Sequence, residues 1–127
     1  MGWYVVEIVH RQLSYAVVGA AMEVHGTLGS GFLESVYQAA LCHELGCRGI
    51  TYEAAKLLTV RYKGVVVGNY EADIVVDDKI ILELKAVKKI HRRHMAQTRH
   101  YLTATGFRLG LVLNFGGSSL QHKRVVN

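Results

Sequence analysis

The stretch from Ile74 to Leu84, IVVDDKIILEL, constrains the fold of this chain more than any other. Two short apolar runs set back to back around Asp77 and Asp78 read as a hairpin of buried strands. With Gly64 as a further turn signal, Lys56 to Lys63, Val65 to Val76 and Lys79 to Val87 form an expected meander. Upstream, Leu13, Val17, Ala20, Ala21 and Val24 recur at helical spacing and predict a helix from about Tyr4 to His25, which Gly26 would end. Leu28 to Gly31 (LGSG) reads as a turn whose Ser30 caps a second helix running to about Leu45, with Phe32, Val36, Ala39, Ala40 and Leu41 available for packing. Gly46 and Gly49 then break the chain. Downstream, a third helix is expected over Ile90 to Thr105, closed by Gly106. Phe107 to Phe115 alternates as a strand does, and Gly116-Gly117 turns into a final strand, Leu120 to Val126. The order ααβββαββ implies an α/β fold, a mixed β-sheet flanked by helices.

A chain of 127 residues, half of them apolar and none proline, suffices for a single domain, expected to occupy residues 1–127. No stretch approaches the roughly 20 consecutive apolar residues of a membrane span. The start, MGWYVVEIVHRQ, lacks the features of a secretory signal. The expectation is a soluble, cytoplasmic protein whose two cysteines, Cys42 and Cys47, stay reduced, with Cys42 in the core.

Polar residues inside buried strands need a reason. Asp73 and Glu83 interrupt the two ends of the apolar hairpin, and Lys85 stands two residues beyond Glu83, on its face of the strand. Parity decides whether Asp73 joins them. Placing Asp73 opposite Glu83 requires Val75 opposite Ile81 and Val76 opposite Ile80, which leaves a three-residue loop, Asp77-Asp78-Lys79. A regular two-residue turn would send the acids to opposite faces, so the expectation is a three-residue loop or a bulge. Two carboxylates about 5 Å apart repel by roughly 3 kcal/mol at an effective dielectric near 20, so one of them must protonate or a cation must sit between them. Lys85 supplies one charge; an oxygen-ligated Mg²⁺ or Mn²⁺ supplies two. The pattern Asp-x9-Glu-x-Lys, bracketed by Val, Ile and Leu, favours a metal site over a surface salt bridge.

The charge is divided. Residues 1–83 hold all 10 acidic residues and 6 of the 15 Lys and Arg, a net −4, whereas residues 84–127 hold the other 9 and no acid, a net +9. An acid-free basic third suits a polyanion-binding face and equally a solvated surface.

With these residues in view, the spacing of Asp73, Glu83 and Lys85 resembles the catalytic core of the PD-(D/E)XK nuclease superfamily, and GFLESVY (Gly31 to Tyr37) is similar to the signature of its small GxxExxY family. The resemblance runs from LSYAVVGAAMEVH through the ADIVV and ELKAV strands to GLVLNFG. It implies a restriction-endonuclease-like core, a helix-borne Glu34 completing the metal site, and a Q-x-x-x-Y pair, here Gln97 and Tyr101. One departure is Ser30, where the family typically has proline. The implied enzyme is a Mg²⁺-dependent deoxyribonuclease, with Mn²⁺ as a substitute. Glu34, Asp73, Glu83 and Lys85 would be catalytic, and Glu34, Asp73, Glu83 and the Leu84 carbonyl would hold one or two metal ions. Gln97, Tyr101 and His94, on one helical stripe, with Arg92, Arg93 and Lys88 around it, would bind substrate. Tyr37, one turn from Glu34, would orient that acid or pack. The expected partner is nucleic acid, DNA first, with a homo-oligomer left open. A non-cleaving nucleic-acid-binding module, an RNA nuclease and a partner-binding structural protein are the competing readings.

Overall fold

The structure, a computed structural model, describes residues 8–127. Its elements run α1 (Arg11–Leu28), α2 (Glu34–Cys47), β1 (Tyr52–Tyr62), β2 (Val65–Val76), β3 (Ile80–Lys85), α3 (Arg92–Thr105), β4 (Leu109–Asn114) and β5 (Gln121–Val126), in the expected order. One mixed sheet, ordered β1-β2-β3-β4-β5, is antiparallel throughout except for the parallel pair β3–β4, which α3 connects. A parallel pair cannot be closed by a tight turn, so the helical crossover is a geometric necessity.

Alternation of side chains along the inner strands builds two cores, one on each face of the sheet. On one face, Ile74, Val76, Ile80, Leu82 and Leu84 pack with Leu109, Leu111 and Leu113 against Val17, Ala20 and Val24 of α1 and Tyr37, Leu41 and Leu45 of α2. On the other, Val75, Ile81 and Val112 pack against Leu102 of α3. Gly110 lets α3 come close: a Cβ there would fall 2.7 Å from Thr98 Cγ2.

The hairpin loop is the three-residue one that parity requires. Val76 faces Ile80, Val75 faces Ile81 and Ile74 faces Leu82, with Asp77 and Asp78 at positive φ and Lys79 N–H donating to Val76 O at 2.9 Å. Several boundaries differ from expectation. The helix expected from Tyr4 begins at Arg11, after His10 at φ 49°, and the expected residues Tyr4 to Glu7 lie outside the described ones. It passes through Gly26 and stops at Leu28, because the cap is Gly29, at a positive φ (71°) that glycine readily adopts, whose N–H donates to His25 O. Ser30 does not cap α2; the cap position is Leu33. Instead the Tyr37 hydroxyl, buried and stacked on Phe115 at 4.6 Å, donates to Gly29 O at 2.6 Å and accepts from Phe32 N at 3.2 Å. Tyr37 therefore packs and clasps the turn before Glu34. Gly46 sits inside α2, and the break falls at Gly49 (φ 70°). Strand β1 starts four residues before Lys56, where Tyr52, Glu53 and Ala54 pair with Val76, Val75 and Ile74. His25 has a structural partner: its Nε2 donates to Gly117 O at 2.9 Å. Cys42 packs against the α1/α2 core, and burial pushes its thiol up. No helix among the described residues is long and apolar enough to cross a membrane.

Candidate active site

The site forms where the sheet splits. Strand β2 has 12 residues, yet its ladder with β3 lasts three pairs and ends at Ile74–Leu82. The next residue is Asp73. Its Oδ2 accepts the Leu84 N–H at 2.8 Å, so a side chain takes the place of a ladder carbonyl and the strands part. Across the other edge, Ala55 at φ 50° interrupts the pairing of β1 with β2, between Ala54–Ile74 and Lys56–Ala72. The alternation of faces slips at this point: Ala72 joins the α3-side core and Ile74 the α1/α2 core, while Val75 returns to the α3 side. Asp73 thus occupies an irregularity. Its own carbonyl accepts from Gln38 Nε2 at 2.8 Å, which ties α2 to the fork.

Glu83 lies across the fork and is only 9% exposed. Its Oε1 accepts a hydrogen bond from the Tyr70 hydroxyl, and the Tyr70 ring stacks on Tyr101 of α3 with centroids 3.5 Å apart and planes 13° from parallel. Burial pushes the Glu83 carboxyl up to about 7; the Lys85 ammonium and the Asp73 N–H pull it down, and the Glu34 charge pushes it up further. Asp73 is also raised, by burial first, against the Leu84 N–H bond and Lys85. Lys85 is half-buried and its field reaches Asp73, Glu83 and His94, so the acid pair and the amine expected from the strand pattern are one electrostatic unit. Glu34, exposed in the first turn of α2, acts on both strand acids through its charge.

The helix residues divide. His94 is half-buried; its Nδ1 accepts from His91 N at 3.0 Å, closing a capping box, and burial, then Lys85, Arg93 and His91, hold its pKa below the ordinary value. Arg92 and Arg93 are exposed at the same end of α3, and Gln97 is exposed one turn on. Tyr101 is half-buried against Tyr70. Lys88 lines a different cavity, of about 360 Å³, with Gly117 to Gln121.

The expected convergence of three acids is not found: among the described residues no three His, Cys, Asp or Glu side chains group closely enough to hold one metal ion. Glu34 is exposed on α2, whereas Asp73 and Glu83 are held at the fork, Asp73 Oδ2 by the Leu84 N–H and Glu83 Oε1 by the Tyr70 hydroxyl. The residues nevertheless fit a hard divalent cation. Two strand carboxylates, both burdened by burial, form an oxygen donor set whose charge such an ion would relieve, and Mg²⁺ needs only one or two carboxylates, keeping water or phosphate oxygens elsewhere. Two participants escape a reading of the sequence. Gln38 had a signal, one helical turn after Glu34. Tyr70 had none, because strand parity puts it on the face opposite Asp73 until the slip is known.

The family model described as the PD-(D/E)XK nuclease superfamily matches residues 11–125. None of the curated proteins matches the chain. The crystal structure of SSO0001 is similar in fold, with a TM-score of 0.59 at 17% sequence identity over 92% of this chain, which spans 62% of the length of that protein.

Proposed function

The chain belongs to the PD-(D/E)XK nuclease superfamily, whose members are generally nucleases that typically use divalent metals, and from that premise we propose that it is a Mg²⁺-dependent nuclease hydrolysing phosphodiester bonds of DNA. One observation carries the proposal: Asp73 and Glu83 flank a fork between adjacent strands with the Lys85 ammonium acting on both.

In this reading Asp73, Glu83 and the Leu84 carbonyl, assisted by Glu34 directly or through water, would hold one or two cations, with Mn²⁺ as substitute. The bound ion would supply Lewis-acid stabilisation of the scissile phosphate and a lower pKa for water. Lys85 orients the attacking water and offsets negative charge as it develops on the phosphate. Attack is in line and leaves a 5′-phosphate. Gln97, His94, Arg92 and Arg93 grip the strand from α3, with Lys88 further out; the acid-free third of the chain supports this. Tyr37, clasping the turn at Gly29 to Phe32, presents Glu34, which supports a GxxExxY-type, exonuclease-like architecture. We further propose that residues 1–127 act as one cytoplasmic domain.

A second reading, a non-cleaving nucleic-acid-binding module, is favoured by the absence, among the described residues, of a preassembled group of three ligands. The two are separated by incubating the protein with single-stranded DNA, duplex DNA and RNA, each with Mg²⁺, Mn²⁺ or EDTA. DNA products with 5′-phosphate ends, lost with EDTA and in Asp73→Ala and Lys85→Ala, support the nuclease. Salt-sensitive binding with no product supports the module, and cleavage of RNA alone would reassign the substrate.

A further inference from the structure

We infer that Tyr101 serves the site from behind, its ring holding Tyr70 so that the Tyr70 hydroxyl fixes the Glu83 carboxylate; both tyrosines are positioning residues. The inference rests on the reading of Glu83 as a metal-holding acid. It begins at Gly110, whose missing Cβ lets Thr98 and Leu102 press α3 onto β4 and so sets the height of the helix above the sheet. At that height Tyr101 lies flat on Tyr70. A tyrosine ring held on one face keeps its hydroxyl on a fixed line, and here that line ends on Glu83 Oε1, buried with it. A carboxylate with one oxygen pinned has its other oxygen aimed, which is what a cation of fixed coordination geometry requires.

The same geometry splits the Gln97/Tyr101 stripe. Gln97 is exposed and available to a strand, whereas Tyr101 is half-buried in the α3-side core and contributes its ring rather than its hydroxyl. Tyr70 stands on β2, three residues before Asp73, and through it the helix and both strands of the fork meet at one oxygen.

The test is a Mn²⁺ titration by calorimetry without DNA, alongside cleavage kinetics. Tyr70→Phe keeps the ring and loses the bond to Glu83; its Mn²⁺ affinity falls about tenfold, in the range for loss of a group that orients a ligand. Its kcat falls at sub-saturating Mn²⁺, excess Mn²⁺ restores it, and KM for DNA does not move. Tyr101→Leu loses the stack and weakens Mn²⁺ binding to a similar extent, whereas Tyr101→Phe keeps the wild-type metal affinity. Unchanged Mn²⁺ affinity in Tyr70→Phe would overturn the inference, as would a raised KM for DNA at normal metal affinity in Tyr101→Phe. The two phenylalanine variants are near-isosteric, so they decide the matter even if Tyr101→Leu fails to fold. Wild-type protein that binds Mn²⁺ without cutting DNA would overturn the nuclease reading and leave this inference standing on the titration. Wild-type protein that binds no Mn²⁺ would sink both.

Discussion

Replacing Glu83 by glutamine should stabilise the metal-free protein at neutral and alkaline pH while destroying its activity. The Glu83 carboxyl is pushed from 4.5 in the unfolded chain to about 7 in the fold, mainly by burial. At 1.36 kcal/mol per pH unit, ionising it in place costs the folded state about 3 kcal/mol. The folded pKa is the higher one, so between pH 4.5 and about 7 the native state binds more protons than the unfolded state, and stability falls as pH rises through that window. Glutamine has no proton to lose and its carbonyl can still accept from the Tyr70 hydroxyl. In urea unfolding with EDTA, the two proteins should coincide near pH 4 and diverge to about 3 kcal/mol in favour of Glu83→Gln by pH 8. A variant no more stable than wild type at pH 8, or a gap that does not shrink on acidification, would refute the reasoning.

Lys85→Ala should lower kcat by about a hundredfold or more with the thermal midpoint little changed, because it removes charge stabilisation rather than packing; near-normal cleavage would remove Lys85 from the mechanism. Tyr37→Phe keeps the stack on Phe115 but loses the hydroxyl that bonds Gly29 and Phe32, and should cost about 1–3 kcal/mol in urea unfolding. Gly116→Ala would place a Cβ 2.2 Å from Val87 O and should destabilise by about 1–3 kcal/mol, read as a lowered melting temperature; an unaltered midpoint would contradict the close approach of these segments. Arg92→Ala and Arg93→Ala should each flatten the salt dependence of DNA affinity by about one unit of slope while affecting different sequences alike.

The hairpin was legible because parity is a hard constraint: once Asp73 and Glu83 are required to share a face, the loop length follows, and the observed pairing of Val76 with Ile80 is the one so deduced. The cap of α2 was not legible. Ser30 has the right chemistry for a cap, but Gly29 and Gly31 both take positive φ, the helix starts later, and the bonds come from Tyr37, eight residues from Gly29 in sequence. The start of strand β1 carries no signal in the sequence, because Glu53, Ala54 and Ala55 are all exposed and so show no alternation. Tyr70 was hidden for a subtler reason. Its approach to Glu83 depends on a slip in β2 and on a helix about thirty residues further along the chain, and neither leaves a local pattern.

Because β2 runs with β3 for so few residues, the remainder of the β1–β2 ribbon overhangs the sheet, from Glu71 out to the bend at Lys63 and Gly64. Asp73 stands at its base, just past the last β2–β3 pair, with Glu83 on the neighbouring strand. Changes confined to the tip of that ribbon, around Lys63 and Gly64, are therefore expected to leave the placement of Asp73, Tyr70 and Glu83 unaltered.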